Sequence, residues 1–198
     1  MDNNKLNVKD LINIGLFSVL IFIALFAGGM LGFIPVLMTI VPFVSGVVAG
    51  PVYMLYSTKI HKKGMLFTQQ MILALVFVAS GHGPWIILTS IVAGILGEYI
   101  LKKGEYKSIN YARKAFSVAA IYFMGNWIPV FLTRDAFIKQ LIDTGYGIEY
   151  ANKLISVLPN WSFIPLILSG VVGTYIGCSI GIKMLKKHFV KAGMIAEV

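Results

Sequence analysis

The hairpin Ser80-Gly81-His82-Gly83-Pro84-Trp85 holds the residues with the clearest capacity for chemistry. Gly81 and Gly83 flank the imidazole of His82, and Pro84 biases the residue before it away from helical backbone, so the stretch predicts a tight reversal. An imidazole there has three uses: capping the turn, hydrogen-bonding a ligand, or coordinating an iron centre. The order of apolar runs gathers Met30, Tyr122, Asn126, Trp127, Arg134, Asn160 and Trp161 toward the same end of the molecule. Aromatic rings with amides and an imidazole suit a flat, partly apolar ligand. Trp85, Trp127 and Trp161 equally suit the aromatic belt of a membrane interface, and Asn126 and Asn160 equally suit helix caps. Glu98 stands about 20 Å along a helix from Trp85. An acid at that depth is a functional candidate, with Lys102, four residues on, as its expected ion-pair partner.

Composition decides what must position these groups. Of 198 residues, 58% are hydrophobic and 13% charged, with a mean hydropathy of +0.82. A soluble domain carries about 25% charged residues, so residues 1–198 read as one integral membrane domain. The net charge of +9 does not point to nucleic acid, because the basic residues fall in short clusters between apolar runs. The single cysteine, Cys178, excludes an internal disulfide and a cysteine-built metal site.

The runs predict an all-α protein with six membrane spans near 11–31, 35–56, 65–80, 85–101, 115–132 and 161–185. Residues 134–158 differ, since Phe137, Leu141, Tyr146, Leu154 and Leu158 alternate with charges around Gly145 and Gly147. They predict two short amphipathic helices on the surface between spans five and six. Fourteen of the 17 Lys and Arg residues lie in the N-terminal lead, the loops 58–64 and 102–114 and the tail, against Arg134, Lys139 and Lys153 on the other side. That asymmetry predicts cytoplasmic termini and places the His82 hairpin, the 28–34 loop and the amphipathic segment on the outer face.

Small residues suit close helix contacts in lipid: Gly46 and Gly50 in the second span, Ala93 and Gly97 in the fourth, and Gly170, Gly173, Gly177 and Gly181 in the sixth. No Walker A pattern, His-Glu-x-x-His or Gly-x-Ser-x-Gly occurs, which excludes an in-chain nucleotide motor of that kind and the commoner hydrolase routes. A membrane enzyme would have to rely on Glu98, and a purely structural partner of another complex would bind no small ligand.

The layout of six spans, cytoplasmic termini and a glycine-bearing first outer loop resembles the S component of an energy-coupling factor (ECF) transporter. The opening Lys5-Leu6-Asn7-Val8-Lys9-Asp10-Leu11-Ile12-Asn13-Ile14-Gly15-Leu16-Phe17 resembles its Trep_Strep branch more narrowly. The resemblance implies a multi-pass protein of the bacterial cytoplasmic membrane that captures a micronutrient and topples to deliver it. The partners implied are a transmembrane T component and two ABC ATPase subunits, which hydrolyse the ATP. Docking through small residues of the first span would map to Gly15, Ser18 and Val19, where Val19 departs from the small-residue pattern. No intrinsic cofactor is expected. Haem or a related tetrapyrrole is the first expected cargo, with His82 as iron ligand and Arg134 or Lys139 for its propionates. A smaller vitamin of the thiamin, folate or riboflavin kind is the alternative.

Overall fold

The first helix starts where the sequence supplies both halves of a capping box. Asn7 Oδ1 accepts the Asp10 amide at 2.9 Å and Asp10 Oδ2 accepts the Asn7 amide at 2.8 Å, so two orphan donors are satisfied. The second carboxylate contact of Asp10, to Lys62 Nζ at 2.6 Å, ties this helix to the loop between the second and third helices.

The computed structural model describes residues 5–190. Its helices are α1 Val8–Gly29, α2 Val41–Ser57, α3 Met65–Ala79, α4 Trp85–Lys103, α5 Ile109–Ala119, α6 Ile128–Leu132, α7 Arg134–Asp143, α8 Gly147–Val157 and α9 Phe163–Met184. Segments of 3-10 helix occupy Met30–Phe33, Pro35–Ile40, Ala120–Asn126 and Asn160–Ser162, and Leu185–Val190 extends α9 as π-helix. There is no strand among the described residues. The expected all-helical class therefore holds, while Lys191 of the basic tail lies outside the described residues.

Four stretches are long and apolar enough to cross a membrane: Val8–Phe33, Pro35–Ser57, Trp85–Lys103 and Asn160–Lys187. The expected third span is an apolar helix of 15 residues, Met65–Ala79. The expected fifth, 115–132, is built from three pieces, the end of α5, the 3-10 segment and α6. Pro129 lacks an amide and would strike the carbonyl of Gly125 in a continuous helix, so it sits instead in the first turn of α6. Thr89 Oγ1 donates to the Tyr122 carbonyl at 2.7 Å, giving the irregular backbone a partner outside its own helix.

Packing follows the small residues. A methyl added to Gly50 would lie 2.1 Å from the Gly177 carbonyl carbon, and one on Gly173 would lie 2.2 Å from the Phe43 carbonyl oxygen. Thus α2 and α9 meet backbone to backbone. Gly94 and Gly97 similarly admit Phe67 and Leu66 of α3 against α4. The larger core lies among α1 to α5 and α9, with Tyr53 stacked on Phe116 at 4.9 Å and Phe17 tilted on Tyr56 at 5.5 Å. A smaller core of Trp127, Val130, Leu141, Leu154, Leu158 and Leu166 lies beneath α7 and α8. These are the two expected amphipathic helices, with Leu141 and Leu154 turned inward. Together with residues 30–40 they cap the end of the bundle opposite the lysine-rich loops.

Candidate functional site

The cap is closed by aromatic side chains. Tyr150 donates its hydroxyl to the Gly32 carbonyl, and Tyr146 stacks on Phe33 with ring centres 6.4 Å apart. On the bundle side of the cap, α1, α2, the 3-10 segment Ala120–Asn126 and α9 enclose a narrow cavity. Its walls are Leu25, Pro42, Ser45, Gly46, Tyr53, Ala120, Tyr122, Phe123, Met124, Gly170 and Thr174. The atom-free space is about 290 Å³, part of it open to solvent, and the gap between the walls is hardly wider than a water.

The cavity's polar equipment is hydroxyl groups. Ser45 donates to the Leu25 carbonyl at 3.2 Å and Thr174 to the Gly170 carbonyl at 2.8 Å. Tyr122, 1% exposed, turns its hydroxyl toward that of Tyr53, but the pair does not reach the geometry of a full hydrogen bond. A buried hydroxyl without a full hydrogen bond is uncommon and calls for an explanation. Asn126, one turn further along the same segment, also leaves both amide atoms buried and unpartnered. It is not part of the cavity wall.

The remaining expected site residues do not converge on this cavity. Arg134 and Asn160 do come together: Arg134 Nη2 donates to Asn160 Oδ1 at 3.0 Å and to the Leu158 carbonyl at 2.9 Å, and its Nε reaches the Val130 carbonyl at 3.2 Å. This guanidinium is occupied in fastening α7 to the turn before α9. Trp127 is a core residue, 4% exposed, whereas Trp161 is 73% exposed and Met30 also points outward. The three tryptophans therefore have different surroundings and do not form one wall.

His82 lies at the end of α3 in a Schellman turn. Its amide donates to the Phe77 carbonyl and the Gly81 amide to the Val78 carbonyl, each at 3.1 Å, while Gly81 takes φ +93°. The ring packs edge-on against Phe77 at 5.1 Å and its Nδ1 is 3.2 Å from Ser80 Oγ. Although one edge is exposed, partial burial pushes the imidazole pKa below its ordinary value, against the opposing pull of the Phe77 carbonyl. That shift favours the neutral ring, and the residue lies outside the cavity wall. Trp85 remains partly exposed beside it.

Two further expectations are corrected. Glu98 makes no ion pair with Lys102; among the described residues the ion pair is Lys62–Asp10. Its carboxylate instead accepts the amides of Gly64, Leu66 and Phe67 at 3.1, 2.8 and 3.2 Å. It therefore caps α3, whose exposed N-terminal amides attract a negative charge more strongly than a mobile lysine does. Ser18 is buried and donates to the Ile14 carbonyl at 2.8 Å, so it does not share the outward face of α1 with Gly15 and Val19. A methyl on Gly15 would meet nothing within 4 Å, and Val19 is exposed.

Tyr53, Ser45 and Thr174 escaped the sequence reading. A tyrosine or hydroxyl inside an apolar run is the only local signal they give, and it does not distinguish a cavity wall from a helix back-bond.

No curated protein and no solved structure matches the chain. Residues 8–191 match the model of Trep_Strep, described as a hypothetical bacterial integral membrane protein. That match spans nearly the whole length of the chain, which accordingly belongs to the Trep_Strep family of bacterial integral membrane proteins.

Proposed function

We propose that this protein is the substrate-capture subunit of an ECF-type importer, taking a small ligand into the capped cavity from the outer face. The observation that carries this reading is the buried pair of Tyr122 and Tyr53, whose hydroxyls do not complete a full hydrogen bond with each other on the wall of a narrow cavity below the cap. A ligand oxygen or nitrogen would give these hydroxyls the well-formed hydrogen bond they do not make with each other. In this reading residues 109–132 form the fifth crossing. Laid end to end, the pieces reach roughly 38 Å, more than the hydrocarbon thickness. The lysine-rich loops then face the cytoplasm, where a T component and two ATPases supply the energy that this chain has no Walker A site to provide.

Entry requires the cap to lift, since the cavity as folded admits little more than a water. Parting Tyr150 from Gly32 and Tyr146 from Phe33 would open that route. The narrow hydroxyl-lined cavity suits a vitamin-sized ligand better than haem. Haem remains the second reading because His82 is a partly exposed imidazole with Nδ1 near Ser80 and a preference for the neutral form that an axial ligand requires. A membrane enzyme acting through Glu98 draws less support, because that carboxylate is already engaged by three backbone amides.

Co-purification with T component and ATPases, followed by mass spectrometry of the extracted ligand, tests the proposal. A stable complex carrying a vitamin-sized molecule is expected; failure to associate with any such module overturns it. Tyr122→Phe should lower affinity for that molecule about tenfold while leaving the thermal midpoint unchanged or raised, because a buried hydroxyl without a full hydrogen bond is removed. For the haem reading, titration should give a Soret band that His82→Ala abolishes; absence of the band in the parent protein removes haem.

A further inference from the structure

Arg113 lies one turn into α5, about 6 Å along the axis from the helix start, at the end of the bundle that carries the lysine-rich loops. Its guanidinium faces α9. The guanidinium carbon is 4.6 Å from the centre of the Tyr175 ring, Nη1 is 3.3 Å from Ser179 Oγ, and Nη2 is 3.4 Å from Asn110 Oδ1. Nε is buried with no partner. None of the carboxylates among the described residues pairs with it.

Those contacts are long for a charged donor, which normally closes to about 2.8 Å on an anion. A cation partly withdrawn from water and matched only by neutral oxygens and a ring is under-compensated, and within a membrane protein such a group calls for a specific partner. The surroundings point to the charge of that partner. Lys183 follows Ser179 by one turn of α9, Lys186 follows in the π-helical extension, and both are exposed. The result is a recessed guanidinium fork with two exposed lysines further along α9 and its extension. Its depth, one helical turn from the loop, matches the phosphate layer of a bilayer and not its hydrocarbon centre.

We infer that Arg113, Lys183 and Lys186 bind a phosphate anion, and that its source is the headgroup of an anionic phospholipid in the adjacent leaflet. The fork takes the phosphate oxygens, Ser179 and Asn110 hold the fork in place, and the lysines add charge beyond it. The inference stands apart from the transport reading, because it concerns the opposite end of the bundle and requires no substrate.

The test is native mass spectrometry of the full chain in detergent, with phosphatidylglycerol or phosphatidylcholine of matched acyl chains, and separately with inorganic phosphate. The parent protein should retain phosphatidylglycerol about tenfold better. Arg113→Gln should abolish the preference, Arg113→Lys should keep part of it, and Lys183→Gln and Lys186→Gln should each weaken it about fivefold. The two lysine variants alter exposed residues, so they keep the test valid if Arg113→Gln does not fold. Equal retention of both lipids overturns the inference, as does a preference that survives in Arg113→Gln or in the double lysine variant. Inorganic phosphate that displaces the lipid at equal concentration upholds the anion chemistry and overturns the lipid as its source.

Discussion

Glu98 and Lys102 have the spacing of a helical ion pair, yet the carboxylate turns away to the start of α3. Three amides in one place outcompete one flexible ammonium, since they are fixed already and their positive end has no other partner. Glu98→Gln keeps an acceptor but removes the charge. It should lower stability by about 1–2 kcal/mol, read as a drop in the thermal midpoint in detergent, with ligand capture intact. Loss of capture without loss of stability would instead restore Glu98 as a functional acid. That this residue matters was legible from its charge in an apolar run. Its partner was not, because the Leu66 amide lies 32 residues away in sequence and backbone amides leave no mark in a sequence. The turn at His82 was legible for the opposite reason: Gly81 and the carbonyls it satisfies are all local.

Among the helices, the α2–α9 contact has the least tolerance. Gly50 and Gly177 touch backbone to backbone, so Gly50→Ala should destabilise by at least about 1–3 kcal/mol through overpacking. Gly15→Ala, where a methyl meets nothing within 4 Å, should leave the thermal midpoint unchanged or slightly raised. Equal midpoints for the two variants would show that the interlock is not limiting. The glycine spacing in the second and sixth spans revealed which faces are narrow, and the two narrow faces do meet. The break in the fifth span was harder to see. Apolarity persists through Ala115–Leu132, and only Pro129 with Gly125 four residues before it signals that the helix cannot continue.

For the molecule as a whole, the proposed sidedness follows from where lysine is concentrated. In a Cys178→Ser background, a membrane-impermeant thiol reagent added to intact cells should label His82→Cys. It should label Lys63→Cys and Lys107→Cys only after permeabilisation. The reverse pattern would place the cap in the cytoplasm and end the capture reading. The all-helical membrane class was legible from composition, whereas of the six expected spans four are stretches long and apolar enough to cross a membrane. The convergence of Tyr53 with Tyr122 was not legible, since it depends on how α2 and residues 120–126 are turned toward each other.

The cavity has two kinds of wall. On one side Pro42, Ser45, Gly46, Gly170 and Thr174 belong to α2 and α9, packed so closely that a methyl on Gly46 would lie 2.6 Å from the Thr174 amide nitrogen. On the other, Ala120 to Met124 form a 3-10 strip between two breaks in the backbone. Any swelling to admit a guest must therefore be absorbed by the strip, like a hinged panel set in a fixed frame. Occupancy should be felt first as slowed amide exchange at positions 120–126, while the frame stays silent.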